Sequence, residues 1–180
     1  RLVKLDFGCG PNPHEGYTGV DQYPFDGKVG IVGDITDPHF WDQFEDESVE
    51  AAHASHFLEH LTAPQRILFM NQVHRILKPK AQITIIVPHW AAARAYGDPT
   101  HQWPPVSEWF FLYLNREWRK VNAPHTDGEI APGMYLCDFD GGLNYNPHPE
   151  LATRNAEFGQ FAVSFYKEAC QDIVATLTKR

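Results

Sequence analysis

Residues 2–21 read LVKLDFGCGPNPHEGYTGVD, and the function of the chain is most legible there. Leu2, Val3 and Leu5 around Lys4 form a short apolar run bounded by glycine, the pattern of a buried strand. Asp6-Phe7-Gly8-Cys9-Gly10 follows at once. Two glycines one residue apart at a strand end let the backbone turn tightly and approach a ligand that a Cβ would push away. A second apolar run, residues 17–20, closes on Asp21. A carboxylate at the tip of that neighbouring strand can take both hydroxyls of a ribose.

Two details separate this stretch from a dinucleotide fingerprint. Pro13 stands where the third glycine of G-x-G-x-x-G would fall, and Asp21 lies only eleven positions past Gly10, where about 20 are usual. A crossover with a full helix needs at least about 10–12 residues. Without a long helix N-terminus to hold a pyrophosphate, a nucleoside lacking phosphates fits better than a dinucleotide.

With three further segments the chain resembles the class I S-adenosylmethionine (SAM)-dependent methyltransferases, and among them a compact subgroup in which the first motif runs almost directly into the second strand. LDFGCGPN resembles their first motif, and Gly19-Val20-Asp21 the acid that follows. Residues 54–61, ASHFLEHL, resemble the end of their fourth strand, and Arg75-Ile76-Leu77-Lys78-Pro79 the joint leading into the fifth. The resemblance covers about residues 2–90. It implies a Rossmann-like open twisted α/β sheet of order 3-2-1-4-5-7-6, with strand 7 antiparallel and helices on both faces; patterning alone gives a mixed α/β sheet. It also implies SAM as cofactor, S-adenosylhomocysteine as product, and cofactor contacts from Asp6, Gly8, Cys9, Gly10, Asp21, Gln22, Asp34, Ile35, Ser55 and His56. Asp34 is equally placed to cap a helix starting near Pro38.

The whole chain sets bounds on this reading. Its 180 residues suit a single domain, 1–180. With 43% hydrophobic and 21% charged residues and a mean hydropathy of −0.41, the composition is ordinary globular. No apolar run approaches the ~20 residues of a membrane span. The chain opens on a strand, so neither a signal peptide nor a covering N-terminal helix is expected in it. A net charge of −8 argues against general nucleic-acid binding. Cys9, Cys137 and Cys170, odd in number and widely spaced, read as reduced thiols of a cytoplasmic protein.

Past Asp21 the pattern predicts a third strand over 31–35, a fourth over 49–55, a helix from Ala63-Pro64 to Lys78-Pro79, and a fifth strand over 82–87. The fifth is nearly all β-branched, which fits cover on both faces. A helix over 107–119 capped by Ser107, a sixth strand over 134–144, a helix over 155–169 and a closing strand over 172–178 complete the order.

Residues 89–132 read as an insertion on the acceptor side. Trp90, Tyr96, Asp98 and Trp103 are candidate acceptor contacts, in a loop beyond a carboxyl strand end, where ligands sit in open sheets. His101 is the candidate general base with Asp98 orienting it, and His56 is a second candidate catalytic residue lining the pocket. His53 is expected inside the fourth strand, His14 on an exposed loop, and His60 half-buried against backbone.

His56-Phe57-Leu58-Glu59-His60 also fits the H-x-x-E-H zinc pattern. A catalytic zinc needs a third protein ligand, no downstream glutamate stands in a comparable motif, and the segment follows a strand. The expectation is therefore no metal, with a zinc hydrolase as the remote alternative and a non-catalytic SAM-binding subunit as the nearer one. The activity expected is methyl transfer to an oxygen or nitrogen of a small or macromolecular acceptor.

Overall fold

The computed structural model describes residues 3–180; the expected strand start at Leu2 lies outside them. Seven strands form one sheet in the order β3-β2-β1-β4-β5-β7-β6. β1 (Lys4–Phe7), β2 (Thr18–Asp21), β3 (Ile31–Val32), β4 (Val49–Ser55) and β5 (Leu77–Pro88) run parallel, while β7 (Cys170–Lys179) is antiparallel to both β5 and β6 (Phe139–Pro147). Parallel strands place their carboxyl ends along one edge, and the order reverses between β1 and β4. Ligands gather at that switch point in open α/β sheets.

Alternation along the strands sorts the faces. Leu5, Phe7, Ala52, Ala54, Ile83, Ile85, Ile173, Ala175 and Leu177 are buried and share one core with α1 (Ala63–Ile76), whose Phe69, Met70, Val73 and Ile76 point inward. The Phe69 ring meets Phe7 edge-on at 5.2 Å. Pro64 begins this helix, and the Gln65 side chain accepts the Thr62 amide at 2.9 Å. On the opposite face His53, Ser55, Thr84, Ile86, Val174 and Thr176 stay partly exposed. The expected cover of the fifth strand on both faces is therefore complete on one face only. Over His53 lies the ten-residue connection from β1 to β2, which contributes the rings of His14 and Tyr17.

Several boundaries differ from the sequence pattern for local reasons. The third strand ends at Val32, with the bond from Gly33 N to Asp21 O at 2.9 Å as the last of its ladder to β2. The expected 107–119 helix is two, α3 (Glu108–Tyr113) and α4 (Arg116–Asn122), since Asn115 accepts the Trp118 amide and starts a new helix. Ser107 holds the expected cap position without a side-chain bond. The sixth strand begins at Phe139 rather than 134: Asn71 of α1 bonds Met134 O, Leu136 N and Cys137 N, so a side chain takes the place of a strand partner. The fifth strand starts at Leu77, directly after α1. Between β5 and β6 lie α2 (Arg94–Gly97), α3 and α4, and between β6 and β7 lies α5 (Ala156–Phe165). Among the described residues no helix is long and apolar enough to cross a membrane.

Candidate active site

At the carboxyl end of β1, Gly8 and Gly10 adopt φ of +64° and +57°, values that L side chains rarely reach. Gly8 N donates to Val20 O at 2.8 Å, tying the turn to β2. A Cβ at Gly8 would fall inside the Phe57 ring, whereas a Cβ at Gly10 would meet nothing within 4 Å. Gly8 is therefore required by the protein's own packing, and Gly10 keeps space open.

Asp21 ends β2 with its carboxylate already oriented: Oδ2 accepts from Gly10 N at 2.9 Å and Oδ1 from Tyr23 N at 3.1 Å. A carboxylate offers about four lone-pair sites, so two remain for a ligand. Beyond it opens a cavity of about 590 Å³ lined by Gly8, Asp21, Gln22, Asp34, Ile35 and His56 together with Phe57, His60 and Thr100. Asp34 is no helix cap. It accepts from Thr36, and Asp37 caps the 3-10 turn Pro38–Gln43.

Asp6, Cys9 and Ser55 face a smaller cleft of about 300 Å³ with His14 and His53, and Gly8 borders both. Asp6 is buried and committed: Oδ2 accepts His14 N at 2.7 Å and Oδ1 meets His53 Nδ1 at 2.7 Å. His14 stacks on His53 with ring centres 4.3 Å apart. This carboxylate fixes the shape of the loop. Burial, helped by the Asp6 and Asp21 charges, pushes the Cys9 thiol up to about 11, so it stays protonated near neutral pH and is no nucleophile.

On the other side of the cavity the sequence expectations divide. His56, with φ +51°, lines the wall. The Glu59 carboxylate beside it raises its pKa above the ordinary value, against an opposing effect of burial. His101 is not on that wall. Its Nδ1 bonds Ala95 O at 3.0 Å, and Nε2 lies 3.8 Å from Asp98, too far for a hydrogen bond. Ala95 orients the imidazole, and Asp98 instead receives Thr100 through its amide and hydroxyl. His60 bonds Thr100 Oγ1 at 3.0 Å rather than backbone.

Trp90 and Tyr96 belong to a separate cleft of about 560 Å³ with Trp109 and Tyr145, around Glu108. His89 Nδ1 accepts from Ala91 N, so Nε2 carries the proton and donates to Glu108 at 3.2 Å; Trp90 Nε1 donates at 2.8 Å and Tyr145 Oη at 3.2 Å. Burial alone would raise this carboxyl, but the His89, backbone and Trp90 donors outweigh it and hold the pKa at about 2. Glu108 went unnoticed in the sequence because its three partners come from β6 and the β5 exit. Trp103 is 79% exposed and lines neither cleft.

This architecture has close parallels among solved structures. A SAM-dependent methyltransferase from Archaeoglobus fulgidus superposes with a TM-score of 0.69 at 19% identity, over 99% of this chain and 86% of that one. The fold is that of the class I SAM-dependent methyltransferases. A SAM-dependent methyltransferase from Methanosarcina mazei gives 0.58 at 16% identity, over 98% and 92% of the two chains. The 1,6-didemethyltoxoflavin-N1-methyltransferase of Burkholderia thailandensis, solved with S-adenosylhomocysteine bound, gives 0.55 at 15% identity, over 98% and 70%. No protein-family model matches the chain, nor does any curated protein.

Proposed function

We propose that the chain transfers a methyl group from SAM to an oxygen or nitrogen of its acceptor. The observation that carries this is the meeting, at the switch point of a methyltransferase-type sheet, of an open glycine turn and an oriented Asp21 carboxylate on one cavity of about 590 Å³. In this reading Asp21 takes the ribose hydroxyls, and Asp34 and Ile35 flank the adenine. Gln22 borders the nucleoside, and Asp6, Cys9, Gly10 and Ser55 shape the methionine end. SAM carries its own leaving group, so the protein's task is to hold acceptor and methyl in line at about 3–3.5 Å. His56, the one of the two candidate bases on the cavity wall, is in this reading the residue that takes the acceptor proton.

A subunit that only binds SAM has no use for the second, ring-lined cleft around Glu108, which supports a catalytic reading with the acceptor entering past Trp90 and Tyr96. The three cysteines are free thiols, in keeping with a cytoplasmic setting. Calorimetry tests the core of the proposal. SAM and S-adenosylhomocysteine are expected to bind one to one and to compete; absence of binding by a folded protein overturns it. Release of S-adenosylhomocysteine in the presence of amine and hydroxyl acceptors separates catalysis from binding alone.

A further inference from the structure

Beside the cofactor cavity, metal-ligating side chains converge. Glu59, His60 and His101 each bring one ligand atom to within 4.8 Å of the others, the one such group of three among the described residues. Glu59 is 5% exposed, and neither of its carboxylate oxygens accepts a hydrogen bond. The nearest histidine nitrogen, His56 Nδ1, stands 3.5 Å from Oε1, outside the range of a well-formed N–H···O bond. Arg66 does not serve it either: its guanidinium bonds the carbonyls of Leu58, Glu59, Gln102 and Pro104 and not the Glu59 carboxylate. A buried carboxylate without donors is costly unless a cation completes it.

The hydrogen bonds around the two imidazoles fix their tautomers. Ala95 O can only accept, so His101 Nδ1 carries the proton and Nε2 keeps its lone pair. Thr100 has one hydroxyl hydrogen and gives it to the Asp98 carboxylate at 2.7 Å. His60 Nδ1 must then donate to Thr100 Oγ1, and again Nε2 is left free. An Nδ1–H held by a carbonyl or hydroxyl oxygen, with Nε2 open, is how metal-bound histidines are usually kept. The two segments are clamped together as well, by Gln102 N donating to Glu59 O at 2.8 Å.

We propose that Glu59, His60 and His101 bind one divalent transition-metal ion. Two imidazoles and one carboxylate suit zinc, iron or cobalt better than magnesium or calcium and leave coordination positions open. His60 and Thr100 line the cofactor cavity, so those positions face the space where the methyl acceptor comes; only this last point rests on the methyltransferase reading. The H-x-x-E-H segment is therefore used in a way its spacing does not announce. The 3-10 turn Leu58–His60 prevents an i, i+4 histidine pair from forming on a helix. His56 faces Glu59 and Asp172 instead, and the third ligand comes from the loop after α2.

The test uses the chelator-stripped chain titrated with Co²⁺ by visible absorption and with Zn²⁺ by calorimetry. One equivalent is expected, with Co²⁺ ligand-field bands and a raised thermal midpoint. Glu59→Gln and His101→Ala should each weaken binding by more than the about 10–100-fold that loss of an orienting partner costs, and His39→Ala, whose exposed side chain is no part of the group, should leave it unchanged. Glu59→Gln removes a buried charge and is expected to fold; if circular dichroism shows His101→Ala unfolded, Glu59→Gln alone decides. No saturable binding, or binding that survives Glu59→Gln, overturns the site. SAM calorimetry on the metal-free chain keeps the cofactor reading separate, since neither result depends on the other.

Discussion

Around the first-motif turn, the cavity wall is made of backbone and of side chains held by near neighbours: Gly8 N to Val20 O, Gly10 N and Tyr23 N to Asp21. Across the cavity, and in the separate cleft around Glu108, the surfaces are made of side chains gathered from distant segments, with His60 on Thr100, Arg66 on Gln102 and Pro104, and Trp90 and Tyr145 on Glu108. The first kind of wall depends on backbone conformation, so even an added Cβ at Gly8 disturbs it. The second depends on side-chain partners far apart in sequence, so a substitution there removes a particular bond.

The largest effect belongs to Gly8→Val. A side chain at φ +64° costs about 1–2 kcal/mol, and the Phe57 ring must move as well, so SAM binding is expected to vanish with a lowered thermal midpoint. A Cβ at Gly10 meets no protein atom, so Gly10→Val carries only the backbone cost of φ +57°. It should stay folded with a smaller fall in thermal midpoint and lose SAM affinity, and a folded Gly10→Val that binds SAM normally breaks the assignment of the cofactor to this side.

Asp21→Ala comes next. Losing a charge-assisted hydrogen bond costs about 1.5–3 kcal/mol, a tens-fold loss of SAM affinity by calorimetry. An unchanged affinity in the folded variant removes Asp21 from the ribose.

The smallest effect concerns the separate cleft. The Glu108 carboxyl is held at about 2 against an ordinary 4.5, so the unfolded chain binds its proton more readily than the folded one. Its stabilising contribution is full above about 4.5 and fades as pH falls towards about 2. Glu108→Gln should flatten that part of the thermal-midpoint curve and leave SAM affinity untouched. Loss of SAM affinity would show that the cleft and the cavity are not separate.

Legibility followed the same division. Asp6-Phe7-Gly8-Cys9-Gly10 and the short gap to Asp21 announce their turn and strand because the causes are local. β4 kept its expected bounds at Val49–Ser55 for the same reason, with apolar residues alternating over a buried face. The boundaries that shifted were those decided by distant partners: Asn71 supplying a substitute strand edge to 134–137, or Asn115 restarting a helix. His101 was singled out by its place after the fifth strand, but its partner Ala95 and its neighbour Glu59 appear only once the loop is folded.

The guanidinium of Arg66, reaching Leu58, Glu59, Gln102 and Pro104 at once, also governs motion. Segment 102–104 cannot swing away from α1 without stripping a buried cation of its acceptors, so local opening there is as costly as loosening the helix itself. This stretch is therefore expected to stay closed while loops without such a tether open, and slow hydrogen exchange of the amides around Gln102 would check it.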